Sequence, residues 1–266
     1  MIFNIGGVEN VKGKLPEFTY TGAFELNDEG KDGTTQNWQL KLLTSGKLTF
    51  AKVVDEVDLF VLGAGGAGAN TGGTAPGGGG YYKTVAGVAV EKKAEYSIII
   101  GAAGDAANEA GGQSSAFGTT ANGGGAAKAG KQIAVTCTCK CSQGGSSVIR
   151  YATSTDVSGW SYLSSSEASI KLAYPIEYVD VTVSGQNATC IRGYDGKYYY
   201  VNILSENTKH YANGTTGTGA ASTKVFGSGD TVSGTGGTSA ASRRGQGGGS
   251  SAIAGGNGLV VLRNAR

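Results

Sequence analysis

The chain has 266 residues, with Lys+Arg 22 against Asp+Glu 20, a net charge of +2 and only 16 % charged residues. With 39 % hydrophobic content and strand-like apolar runs, it is not a disordered polyelectrolyte. Its near-neutral balance also lacks the clustered basic footprint that nucleic acid demands, Arg243-Arg244 being too short to supply one.

In chain order, Met1 to Gly7 has no charged region ahead of a long apolar stretch, so no signal peptide is read there. No run approaches the ~18 apolar residues of a spanning helix, and no membrane insertion is expected. Residues 1–16 contain Gly6, Gly7, Gly13 and Pro16 and read as an extended N-terminal arm. Phe18 to Leu26 alternates apolar and polar residues as one strand, and Asn27 to Asn37 is polar and reads as a loop. Trp38 to Leu42, a Thr44-Ser-Gly-Lys turn and Leu48 to Val54 read as a hairpin. Val57 to Leu62, Tyr81 to Val90, Tyr96 to Ile100 and Leu259 to Leu262 read as further strands. Helical periodicity is nearly absent, so the fold class is all-β.

Between these strands lie three glycine blocks, holding 10 of the 18 residues 63–80, 9 of the 30 residues 101–130 and 15 of the 47 residues 212–258. Irregular spacing and three Pro exclude collagen. Three structureless linkers are too much loop for a compact fold. The ordered alternative is a bundle of three-fold polyproline II-type helices, bonding N–H to C=O between neighbours where no Cβ blocks the approach. At a rise of about 3.1 Å, eighteen residues would extend roughly 55 Å. Gly63-Ala-Gly65-Gly66-Ala-Gly68 fits the dinucleotide fingerprint, but Ala-Asn-Thr-Gly-Gly-Thr-Ala-Pro follows instead of a helix, and no acidic residue stands near Thr84. No cofactor is expected. Ser114 to Thr119 echoes Ser222 to Ser228, which places one aromatic, Phe117 or Phe226, at the base of each glycine layer.

Residues 131–211 differ in kind: 6 of 81 are Gly, yet they hold 9 of the 13 Tyr and all four Cys. They alternate at Ile133 to Cys137, Val179 to Val183 and Lys197 to Ile203, and Tyr194-Asp-Gly-Lys reads as a mirror-image hairpin turn. This is an inserted small β domain between 17–130 and 212–266.

No catalytic constellation stands out. His210 is the single histidine and reads as a surface residue. Asp156, Glu167, Asp180 and Asp195 read as solvated turn or strand-edge groups. Cys137, Cys139 and Cys141 share one strand face. With Cys190 they leave open a zinc site of unfavourable spacing, one disulfide, or packed free thiols, reduced thiols being the default for cytosolic synthesis. Tyr151, Trp160, Tyr162, Tyr194, Tyr198, Tyr199 and Tyr200 are the contact candidates, because such rings give rigid amphipathic area on which sugars stack. Alternation sends about half of them to the core, and Tyr199 opposes Tyr198 and Tyr200.

The order Phe18-Thr-Tyr-Thr, Trp38 to Phe50, Asp58-Leu-Phe-Val-Leu-Gly-Ala-Gly-Gly, Gly77 to Lys83, Tyr96 to Gly104, Ser115 to Gly118 and Gly255 to Arg266 resembles the glycine-rich tail-tip and tail-fibre proteins of bacteriophages infecting Gram-positive bacteria. A second similarity runs to the glycine-rich extracellular domain of anaplastic lymphoma kinase, where polyglycine helices lie beside a jelly roll. The resemblance covers 1–130 and 212–266 and does not extend over 131–211. It implies an antiparallel, jelly-roll-like β-sandwich with polyglycine II helices, a place in the virion tail after assembly in the host cytoplasm, and homo-oligomerisation, commonly as a trimer. The function expected is a non-enzymatic receptor-binding adhesin whose partners are a host-surface glycan or protein and other tail proteins. A purely structural tail or decoration protein is the alternative, and a wall-polysaccharide-degrading enzyme a third.

Overall fold

The computed structural model describes residues 17–32, 35–52, 54–69, 72, 74–105, 108–141, 148–219, 244–250 and 254–265. The arm at 1–16 and the echo around Phe226 lie outside them. Among the described residues there is no helix, and so none long and apolar enough to cross a membrane. The chain forms two compact units, Met1–Ala129 with Gly214–Arg266, and Gly130–Asn213.

The first unit is an antiparallel sandwich. Strands β1 (Phe18–Tyr20), β4 (Gly46–Phe50) and β7 (Glu95–Ile98) form one sheet in the order β1-β4-β7. Strands β2 (Phe24–Asp32), β3 (Thr35–Leu42), β5 (Val54–Leu62), β6 (Tyr82–Val90) and β19 (Leu259–Asn264) form the other, in the order β2-β3-β19-β5-β6. The chain's last strand is therefore a central one. Register sets Leu40, Leu262 and Leu59 side by side, and likewise Leu42, Val260 and Val61. These rows pack against Phe18, Tyr20, Leu48, Phe50 and Ile98 of the smaller sheet. On the opposite face Phe60, Leu62, Leu259 and Val261 are buried as well. A strand covered on both faces needs no alternation, which is why LFVL at 59–62 and LVVL at 259–262 are continuous apolar runs.

Two expectations fail at the corners. Phe18 to Leu26 is not one strand, because the chain turns at Thr21–Ala23 and passes from the smaller sheet to the larger. Nor do β3 and β4 form a hairpin: β4 pairs with β1 and β7, and the connector at 43–45 carries the chain back across. The two corners are tied together, Ala23 N–H donating to Thr44 Oγ1 at 2.7 Å and Tyr20 O–H to the Thr44 carbonyl. Folding the chain over puts Leu40 and Leu42 opposite Leu48 and Phe50, which a flat hairpin could not bury. Asn27 to Asn37 is also no loop. It continues β2 and β3 as a hairpin with a bulge between Asp28 and Gly30.

The described parts of the glycine blocks are ordered as polyglycine II helices. Segments 63–69, 74–81, 101–105, 108–113, 121–129, 212–219, 244–250 and 254–258 run mostly outside the sheets and bond through their backbones. The Gly63, Gly66 and Ala69 amides donate to the Tyr81, Gly78 and Ala75 carbonyls at 2.9, 2.9 and 2.8 Å. Partners advance by three on one segment and retreat by three on the other, the mark of two antiparallel three-fold helices. Around the same segment, the Ala64 and Ala67 amides donate to Gly112 and Glu109, and their carbonyls accept from Gly124 and Ala127. Gly65 donates to Gly256 and accepts from Gly104, and Gly66 accepts from Gly248. Segment 63–69 is thus ringed by six others. The ring closes on itself through Gly78→Gly125, Gly111→Gly124, Gly112→Ala102, Gly258→Gly101, Gly256→Gln246 and Gly77→Gly248, each written from donor to acceptor. Segment 212–219 lies outside it, bonded through Gly217→Pro76 and Gly125→Thr218. Buried backbone groups are satisfied in this way without side chains.

Phe117 does not plug this lattice. With Gly118 it forms the turn of a small hairpin, β8 (Ser114–Ala116) and β9 (Thr119–Ala121), at φ 48° and 72°. Its ring lies 4.4 Å from that of Tyr96, at the edge of the sandwich core.

Candidate recognition surface

Among the described residues the second unit has two sheets. Strands β10 (Gln132–Lys140), β14 (Glu167–Ala173) and β18 (Ile203–Tyr211) are ordered β14-β10-β18. Strands β11 (Arg150–Ala152), β12 (Asp156–Val157), β13 (Ser161–Tyr162), β15 (Tyr178–Val183), β16 (Gln186–Arg192) and β17 (Tyr198–Tyr200) are ordered β12-β15-β16-β17-β11-β13.

The alternation of β10 decides what the cysteines do. Val135, Cys137, Cys139 and Cys141 point into a core with Ile149, Ile170, Leu172 and Ile191. Thr136 and Thr138 face the other way, where they meet His210 Nε2 at 2.6 Å and Asn207 Nδ2 at 2.7 Å. Cys190 packs elsewhere, with Val181, Val183 and Ala152. The four thiols therefore do not converge, and all are free and buried. Burial pushes Cys139 up to about 12, the neighbouring Cys137 adding to it. Burial likewise raises Cys190 to about 11, with Arg150 opposing. These are packed thiols, not thiolate ligands.

Of the seven aromatic candidates, Tyr162 and Tyr194 are exposed, at 61 % and 49 %. Tyr151, Trp160, Tyr198 and Tyr200 are half-buried. Tyr199 is buried, at 6 % exposure, and leaves the contact set. Its hydroxyl donates to Asp195 Oδ2 at 2.8 Å, and its ring packs on Tyr151 at 5.9 Å. Burial, with Asp195 adding, raises its phenol above the ordinary value. Burial alone would raise the Asp195 carboxyl, but hydrogen bonds from Tyr199 and Lys197 outweigh it and hold the group below its usual range.

The turn beside Asp195 departs from the mirror-image form. Gly196 takes φ 84° while Asp195 does not have positive φ. The Gly193 amide donates to Lys197 at 2.7 Å and the Gly196 amide to Gly193 at 3.1 Å, giving a three-residue loop. The two-residue mirror-image turn occurs instead at Ser184-Gly185, with φ 51° and 74°, between β15 and β16. The scattered acids are exposed: Glu167 pairs with Lys140 at 2.7 Å, and Asp180 accepts from Thr189 at 2.9 Å.

Trp160 and Tyr200 come together, with ring centroids 6.0 Å apart. The Arg150 guanidinium lies over both, at 5.4 Å from Trp160 and 4.6 Å from Tyr200. Gln186, Asn187, Thr189 and Asn202 join them around a cavity of about 450 Å³. Lys171 sits over Tyr194 at 4.1 Å, and Lys197 over Tyr151 at 5.0 Å. Arg150 and the amides were absent from the sequence reading. The signal available was a cation directly preceding Tyr151 in a strand, but its partner Tyr200 is fifty residues away.

The first unit defines a class of protein, a β-sandwich whose described glycine-rich connections form a polyglycine II lattice. The family model described as a glycine-rich domain matches residues 43–265, and the chain belongs to that family. No curated protein matches it.

Proposed function

We propose that this chain is a bacteriophage tail-tip or tail-fibre protein that binds the host surface without catalysis, and that residues 130–213 make the contact. The observation that carries the reading is the cluster of Trp160, Tyr200 and Arg150 with the surrounding amides. Aromatic faces and amide groups are the usual means of holding a surface glycan or protein loop. The sequence resemblance to tail proteins of phages of Gram-positive bacteria supplies the setting. It also implies other tail proteins as partners and a homotrimer.

The test is adsorption of labelled full-length protein to intact cells of the Gram-positive host, beside a version lacking 131–211. Binding by the first and none by the second is the expected result. Adsorption that survives the deletion overturns the assignment. The self-satisfied glycine lattice favours one other reading, a purely structural tail or decoration protein, which would enter particles while the isolated chain binds no cells. Incubation with host walls is expected to release no reducing ends above the buffer level, and release would point to an enzyme.

A further inference from the structure

We propose that the cleft beside Arg150 binds a saccharide carrying an anionic group, a carboxylate or a phosphate, with Arg150 as the anion contact and Trp160 and Tyr200 as the ring contacts. This rests on the adhesin reading and narrows the chemistry of its ligand.

The pairing of Arg150 with Tyr200 follows from the sheet, since the two are cross-strand partners on β11 and β17. The guanidinium lies over both rings, whose planes are 60° apart, so it faces at most one of them flat and keeps N–H donors for a ligand. What packing does not explain is the missing counter-charge. Arg192 meets Glu177 at 3.1 Å, Lys140 meets Glu167 at 2.7 Å and Lys197 meets Asp195 at 3.2 Å. Arg150 meets no carboxylate among the described residues, and none lines the cavity. A planar fork held in place but not neutralised is half of a bidentate pair with a carboxylate or phosphate.

The rest of the lining suits a polyhydroxylated ring. Gln186, Asn187 and Asn202 bring amides that both donate and accept. Asn187 Oδ1 accepts from the Thr182 hydroxyl at 2.9 Å, which fixes that amide and leaves its NH₂ as a donor. The volume, about 450 Å³, falls in the range of small-ligand sites, ~300–1,000 Å³. An amide-lined cleft with one stacked cation favours a charged sugar over an apolar ligand.

The two tryptophans give a direct readout, because Trp38 is in the sandwich core at 3 % exposure while Trp160 lines the cleft. Full-length protein is titrated by fluorescence with a hyaluronan hexasaccharide, with its carboxyl-reduced form, and with a poly(glycerol phosphate) oligomer bearing glucose. At least one anionic probe is expected to change Trp160 emission, and which one responds separates carboxylate from phosphate. The carboxyl-reduced hexasaccharide binds about tenfold more weakly than the responding anionic probe, or not at all. Arg150→Gln removes the advantage. Should that variant unfold, Arg150→Lys, which keeps the charge but loses the fork, carries the test with an expected loss of about fivefold.

Equal binding of the neutral form, no response to any probe, or unchanged anion binding by a folded Arg150 variant overturns the proposal. Adsorption to intact cells is measured in parallel. An Arg150→Gln protein that adsorbs like wild type sinks the cleft while the adhesin reading stands. A wild-type chain that does not adsorb sinks the adhesin reading itself.

Discussion

The Gly66 amide donates to the Gly78 carbonyl at 2.9 Å, and a β-carbon on Gly66 would stand closer than 3.0 Å to the Gly125 carbonyl oxygen. The same collision, always with a backbone carbonyl, recurs at Gly63, Gly65, Gly77, Gly80 and Gly124. Because the obstacle is backbone in a neighbouring helix, no rotamer change relieves it. Gly66→Ala is expected to cost about 3 kcal/mol, at the upper end for overpacking. Gly159, with open space around it and no left-handed φ, is the control, and Gly159→Ala should shift stability by no more than about 0.5 kcal/mol. Urea unfolding of the three proteins checks both, and equal midpoints would contradict the lattice.

Arg263 and Asp58 face each other on β19 and β5, where Nε and Nη2 of the arginine both donate to Asp58 Oδ2 at 3.2 Å. Asp58 is 4 % exposed and also accepts from the Gly87 amide at 3.3 Å. Removing the arginine leaves a buried carboxylate short of its cation. Arg263→Ala should therefore destabilise the first unit by about 3 kcal/mol. Asp58→Asn in the same background should recover part of the loss, since it removes the stranded charge. A double-mutant cycle by thermal unfolding measures the coupling.

The thiols predict a pH dependence. Cys139 and Cys190 are raised from 9.0 to about 12 and about 11. A group whose folded value is raised contributes stability that is whole below the unfolded value and is lost as pH climbs toward the folded one. The second unit should therefore weaken progressively between about pH 9 and pH 12. At pH 8 an alkylating reagent should leave all four thiols of the folded protein unmodified and react with all four in urea. Because the thiols are free, reductant should not move the unfolding midpoint. Rapid alkylation of the native chain would contradict the packing.

Tyr199 and Tyr162 should separate core from surface. Tyr199→Phe loses one hydrogen bond to a carboxylate and should cost about 1–2 kcal/mol. Tyr162→Ser, at an exposed position, should leave stability within about 0.5 kcal/mol. Circular-dichroism melts distinguish them.

How far the chain is readable depends on how local each cause is. The runs at Leu59–Leu62 and Leu259–Leu262 announce strands because burial on both faces is written into consecutive residues. The lattice is readable for a similar reason, since only Gly allows backbone to touch backbone on every side. The corners at Thr21–Ala23 and at 43–45 mislead because a turn signal looks the same whether the chain returns to its own sheet or crosses to another. The polar hairpin at Asn27 to Asn37 is held by its ladder, without an alternation to announce it. In the second unit, period two correctly separates Tyr199 from Tyr198 and Tyr200. The Arg150 cluster was not legible, because it depends on β11, β16 and β17 coming together from distant positions.

Amide hydrogen exchange across residues 63–69 tests the central claim most directly. Every N–H from Gly63 to Ala67 has a backbone acceptor in a neighbouring helix. These amides should exchange as slowly as those of Leu59–Leu62 in the adjoining strand, through opening of the whole unit. Exchange at the rate of an unstructured glycine peptide, with β5 still protected, would contradict it and leave the glycine blocks as tethers.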